Sequence, residues 1–127
     1  MGEAKFRVLV VEDSAAMRGL VSATVEEVEG VEVVETEGGY AALKVLPRER
    51  FDLIITDINM PDINGLELVR FVRQSPVHKE VPLIIISTES TERDRERGMK
   101  LGASAYLTKP FEPQDLLELV RRYLGLG

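Results

Sequence analysis

Apolar residues fall into two rhythms along this chain. Short runs at Phe6 to Val11, Leu53 to Ile55 and Leu83 to Ile86 have the length of strands, and the last two read as buried on both faces. Between them, apolar side chains recur at helical steps. Ser14 stands as a cap before Met17, Leu20, Val21, Thr24, Val25 and Val28, a helical series that Gly30 ends. Val31 to Thr36 alternates Val with Glu, the pattern of a half-exposed edge strand, and Gly38-Gly39 breaks it. Tyr40 to Leu46 predicts a short helix that Pro47 closes.

The central run stops at Asp57, where Pro61, Asn64 and Gly65 force a turn before a helix over Gly65 to Gln74. Ser75-Pro76 ends that helix, and Pro82 opens the strand Leu83 to Ser87. A helix with a highly charged first half follows from Thr91, and Gly102 caps it. A short strand, Ala105 to Thr108, and a helix over Pro113 to Leu124 complete the series. Strands alternating with helices across short connections predict one α/β domain over 1–127. Its expected form is a doubly wound, five-stranded parallel sheet of order 2-1-3-4-5 with five helices. In that order a crevice opens where the first and third strands are neighbours.

Composition narrows the chemistry. The 127 residues are 44% apolar with no Trp, which suits an aliphatic core, and the lack of Cys removes thiol and Cys-ligated metal chemistry and fits a cytoplasmic protein. A net charge of −6 argues against nucleic acid or an anionic membrane as partner. The first residues, Met-Gly-Glu-Ala-Lys-Phe, lack a signal-peptide core and the myristoylation pattern. No apolar stretch is long enough to span a bilayer.

What the strand ends supply together is more specific. Glu12 and Asp13 follow the first strand, Asp57 ends the third, Ser87 and Thr88 the fourth, and Lys109 follows the fifth. Acids gathered at the carboxyl ends of a parallel sheet repel unless a cation holds them. Oxygen donors without His or Cys point to a hard divalent ion, Mg²⁺ or Mn²⁺. The expected ligands are Asp13, Asp57 and the Asn59 backbone carbonyl, with Glu12 acting through water. A carboxylate so placed can accept a phosphoryl group, with Lys109 as fixed cation and the Ser87 hydroxyl donating to a phosphoryl oxygen. Asp57 is therefore read as the acceptor.

Glu12-Asp13, the run Asp57-Ile58-Asn59-Met60-Pro61 with Gly65, Ser87, Gly102-Ala103, Tyr106 and Lys109-Pro110-Phe111 together resemble the receiver domain of two-component response regulators. The resemblance covers nearly the whole chain and is nearest to the stand-alone chemotaxis receiver, a flavodoxin-like fold. It implies a phosphorelay switch in which a histidine kinase phosphorylates Asp57. Ser87 is then the switch hydroxyl and Tyr106 a switch aromatic that turns inward on phosphorylation. Asn59 and Glu89 modulate phosphoryl lifetime, and a cis Lys109–Pro110 bond aims the lysine. The face of the fourth helix, last strand and last helix would bind a downstream protein. The protein is expected to be monomeric before phosphorylation.

Departures from the commonest family pattern are Glu12 for Asp, Ser87 for Thr and the larger Thr88 beside it. A register shifted by one residue would make Thr88 the switch hydroxyl, although the spacing from Pro82 and to Lys109 favours Ser87. The end of the chain suggests no output domain, while a receiver excised from a larger hybrid kinase or regulator would share this chemistry. A metal-dependent phosphatase with an aspartyl-phosphate intermediate would need a second Asp where Asn59 stands. The expected activity is thus self-phosphorylation and self-dephosphorylation only, not enzymatic turnover. The bland alternatives are a helix-start role for Asp13, a surface role for Lys109 and a packing role for Tyr106. His78 reads as inert, and the alternating charges of residues 92–97 as a solvated helix face or a partner surface.

Overall fold

The computed structural model describes residues 5–89 and 91–126; the start at Met1 to Ala4, read as free of a leader, and Gly127, read as the end of a single domain, lie outside them. The elements run β1 (Phe6–Val11), α1 (Ala15–Val25), β2 (Val31–Thr36), α2 (Gly39–Val45), β3 (Leu53–Asp57), α3 (Gly65–Gln74), β4 (Leu83–Ser87), α4 (Glu92–Leu101), β5 (Ala105–Thr108) and α5 (Pro113–Tyr123). The strands form one parallel sheet in the order β2-β1-β3-β4-β5.

Alternation along each strand divides the core into two layers. Leu9, Val11, Ile54 and Ile85 face one way, against Ala42 of α2 and Leu68, Val69 and Val72 of α3. Their chain neighbours Val8, Val10, Ile55, Ile84 and Ile86 face the other way, against Val21 and Val25 of α1 and Leu116 and Val120 of α5. Because β3 and β4 are covered on both faces, every residue in them is buried. Edge strand β2 keeps its glutamates exposed.

Local signals set the helix starts. Ser14 Oγ accepts from Met17 N at 3.3 Å, Asn64 Oδ1 from Leu66 N at 2.7 Å and Thr91 Oγ1 from Asp94 N at 3.2 Å. Gly102 ends α4 in the left-handed region, with φ of 116°. The end of α1 departs from the periodic pattern. Glu27 N and Val28 N bond three residues back, to Thr24 and Val25, so the chain tightens past Val25 and still delivers Val28 to the core.

His78 is packed structurally. It is 1% exposed and stacks on Phe51 with centroids 5.9 Å apart, and its Nε2 accepts the Phe51 N–H at 3.2 Å. Burial first, then the charge of Arg50, pushes its pKa below the ordinary 6.5. The unfolded chain therefore binds a proton at higher pH than the fold, and this contribution to stability is full above 6.5 and declines below it. The native melting midpoint should fall as pH drops from about 7 to about 5, and His78→Gln should show a shallower slope from a lower baseline. Parallel slopes for the two proteins would show that His78 is not the source.

Candidate functional site

Sheet register assembles the site. Val11 lies beside Thr56, Asp57 beside Ile86 and Ser87 beside Thr108. The next residue of each chain segment therefore projects from the same carboxyl edge: Glu12 after β1, Asp57 closing β3, Ser87 closing β4 and Lys109 after β5. Gly65 is required beneath them, because a Cβ there would stand 2.0 Å from the Asp57 carbonyl oxygen.

A shared ammonium holds the centre. Lys109 Nζ lies 2.9 Å from Glu12 Oε1 and 3.2 Å from Asp57 Oδ2. The remaining oxygens are also engaged: Glu12 Oε2 accepts from Ser14 N at 3.1 Å, and Asp57 Oδ1 from Ile58 N at 2.7 Å. Glu12 is 0% and Asp57 6% exposed, so both charges depend on these partners. Burial pushes Glu12 above its ordinary 4.5, against the Lys109 bond and the Ser14 N–H, and the charge of Asp57 adds to the rise. Burial alone would lower the Lys109 pKa; its bond to Glu12 and the charge of Asp57 outweigh that and raise it.

Asp13 is exposed at the same edge. Carboxylate oxygens of Glu12, Asp13 and Asp57 lie within 4.8 Å of one another. An all-oxygen donor set of this charge suits a hard divalent cation.

Of the neighbouring hydroxyls, Ser87 is fully buried at the end of β4, while Thr88 is exposed beyond it. Ser87 Oγ accepts from Glu89 N at 3.0 Å, and its carbonyl accepts from Lys109 N at 2.7 Å. The Lys109–Pro110 bond is cis. Asn59 is exposed two residues past Asp57, and Glu89 is half-buried two residues past Ser87.

Tyr106, read as the switch aromatic, lies inward. It is 4% exposed and its hydroxyl donates to the Glu89 carbonyl at 2.6 Å. Gly98 in α4 makes room; a Cβ there would stand 2.8 Å from Ile85 Cδ1 and 3.4 Å from Tyr106 Cδ2. Sequence reasoning also missed Arg18, whose Nη1 donates to the Glu12 carbonyl at 2.8 Å. Its guanidinium lies 3.7 Å from Glu35 and 3.9 Å from Glu37. No local spacing signals these contacts, because α1 meets the ends of β1 and β2 only in the fold.

The family model for the response regulator receiver domain matches residues 8–121. The chain is 38% identical over 122 residues to a chemotaxis protein CheY homolog of Campylobacter jejuni, covering 95% of this chain and 94% of that protein. The structure of the chemotaxis response regulator CheY4 of Vibrio cholerae superposes with a TM-score of 0.86 at 37% identity, covering 93% of this chain and 98% of that one. The receiver domain of the sensor histidine kinase PA1611 from Pseudomonas aeruginosa gives 0.85 at 28% identity, covering 94% and 98%; its structure has a magnesium ion coordinated in the active site cleft.

Lys109→Met strands Glu12 as a buried carboxylate without its cation and should cost about 3 kcal/mol at neutral pH. Glu12 already binds its proton more tightly folded than unfolded, so its ionisation weakens the fold as pH rises through the raised pKa. Part of the deficit should therefore return in acid, where Glu12 is neutral. Urea unfolding at two pH values checks both points; an unchanged midpoint would mean the pair does not hold the site.

Proposed function

The chain belongs to the response regulator receiver domain family, and on that premise we propose that Asp57 takes a phosphoryl group from a histidine kinase and thereby switches the binding of a downstream protein. The observation that carries this reading is the buried Asp57 carboxylate at the sheet's carboxyl edge, 3.2 Å from the Lys109 ammonium. Receiver domains typically bind Mg²⁺ at an acidic pocket. Here Asp13, Asp57 and the Asn59 carbonyl are the groups to hold Mg²⁺ or Mn²⁺, with Glu12 reaching it through water. When bound, the ion supplies charge neutralisation at the phosphoryl oxygens.

In the transfer, the bond from phosphorus to the donor imidazole nitrogen breaks as a bond to an Asp57 oxygen forms. The electron pair stays on the nitrogen. Lys109 exchanges its contact with Asp57 for a phosphoryl oxygen, and Ser87 donates its hydroxyl to another. Asn59 and Glu89, beside the acceptor and the hydroxyl, influence how fast water removes the group.

Glu89 connects this chemistry to the surface. Its N–H donates to Ser87 Oγ, and its carbonyl accepts from the Tyr106 hydroxyl, so a Ser87 drawn toward phosphate moves the acceptor that holds Tyr106. Phosphorylation thereby shifts a pre-existing equilibrium toward the state in which Tyr106 is turned inward. The face of α4, β5 and α5 then reads the change, with the exposed charges of Glu92, Arg93, Arg95, Glu96 and Arg97 at its border.

The partners are proteins, a kinase and a target, rather than nucleic acid or membrane. The unphosphorylated form is a monomer of the cytoplasm. Among the described residues no helix is long and apolar enough to cross a membrane. The single domain proposed over 1–127 carries the same chemistry whether it acts alone or within a longer regulator. A phosphatase is disfavoured by Asn59, which offers no second acid beside Asp57.

Intact mass after incubation with Mg²⁺ and acetyl phosphate tests the acceptor. One phosphoryl adduct on the native protein and none on Asp57→Asn is expected, whereas an adduct on the variant would place the acceptor elsewhere. Ser87→Ala should still be labelled, at least about tenfold more slowly, because one donor to the transferring group is lost. Labelling at the native rate would remove Ser87 from the mechanism.

A further inference from the structure

We propose that Asp62 is a positioning residue that locks the β3–α3 loop to the start of α2 and thereby couples occupancy of the metal and phosphoryl site to α2. The proposal rests on the reading of that site given above.

One carboxylate spans two elements distant in sequence. Asp62 Oδ1 accepts from Gly39 N at 3.2 Å and from Ile63 N at 2.7 Å, and Oδ2 accepts from Tyr40 N at 3.0 Å. Gly39 and Tyr40 open α2, whose own cap residue, Gly38, makes no side-chain bond. Asp62 therefore provides the cap that the local sequence lacks. These N–H groups, led by Tyr40, hold Asp62 below its ordinary pKa, so it remains ionised at neutral pH.

The two glycines are the seat of this contact. A Cβ on Gly38 would lie 2.8 Å from Asp62 Oδ2, and one on Gly39 would lie 1.5 Å from Ile63 Cγ2. Gly38-Gly39 thus does more than end β2; it lets the backbone of α2 meet the loop directly.

The loop is anchored at its other end by Ile58, which is 2% exposed and whose carbonyl accepts from Gly65 N at 2.8 Å. Asn59, Met60 and Pro61 are held between Ile58 and Asp62. The Asn59 carbonyl, a proposed ion ligand, therefore has its position set from both sides. Releasing Asp62 frees that side of the site, and by linkage an ion on the loop must in turn steady the α2 start.

Mg²⁺ titration by calorimetry, with amide hydrogen exchange at Gly39, Tyr40 and Ile63, tests this in the native protein, Asp62→Asn and Asp62→Ala. In the native protein Mg²⁺ should slow exchange at Gly39 and Tyr40. Asp62→Ala should lose that response and bind Mg²⁺ about fivefold more weakly, the lower end of usual coupling between sites. Asp62→Asn removes the same charge but keeps one acceptor oxygen, so it should lie nearer the native protein. Equal weakening in both variants would reduce Asp62 to a charge effect and overturn the proposal. Native-like Mg²⁺ affinity in Asp62→Ala, or native exchange indifferent to bound Mg²⁺, would overturn it as well. Failure of the native protein to bind Mg²⁺ would instead overturn the site reading, and the coupling with it.

Discussion

A lysine ammonium between two buried carboxylates is the contact on which the carboxyl edge of this sheet depends. Parallel register brings the ends of β1 and β3 side by side, so Glu12 and Asp57 must meet away from water. Two such charges are compatible with the fold only if a cation and N–H donors share them. Lys109 is that cation, delivered from the far side of the sheet by β5. The arrangement keeps an anionic pocket in tension: its own lysine satisfies it, and a phosphoryl group with its metal ion would compete for the same partners.

The routes out of this pocket are short. Glu89 links Ser87 to Tyr106, offering its N–H to one and its carbonyl to the other. On the opposite side, the loop after Asp57 is fastened to α2 through Asp62. A change of charge at Asp57 therefore meets connected hydrogen bonds toward β5 and toward α2. Gly65 and Gly98 permit the close approaches that such connections require.

How much was legible in the sequence follows from how local each signal is. The buried runs at Leu53 and Leu83 identify β3 and β4 because parallel strands covered on both faces carry apolar residues at every position. Ser14, Asn64 and Thr91 mark helix starts because capping acts within three residues. The site acids and Lys109 could be placed together because parallel strands bring every carboxyl end to one edge and the strand order makes β1 and β3 neighbours. The tightened end of α1 was not legible, as Val28 keeps the helical spacing while its backbone leaves the helix. Arg18, Asp62 and the burial of His78 were missed because their partners, Glu12, Gly39 and Phe51, come from other elements. The inward Tyr106 depends on space left by Gly98, a relation that only α4 packing on β5 creates.

The most direct measurement of whether Asp57, Lys109 and Ser87 act as one switch is a backbone and side-chain NMR comparison of the protein with and without Mg²⁺ and beryllofluoride, a phosphoryl mimic. The expected result is a coupled set of shifts that starts at Asp57, Lys109 and Ser87 and continues through Glu89 to Tyr106 and the α4 and α5 surface. Shifts confined to Asp57 and the residues proposed to hold the metal, leaving Glu89 and Tyr106 unmoved, would contradict a switch, and no shift at all would contradict the site itself.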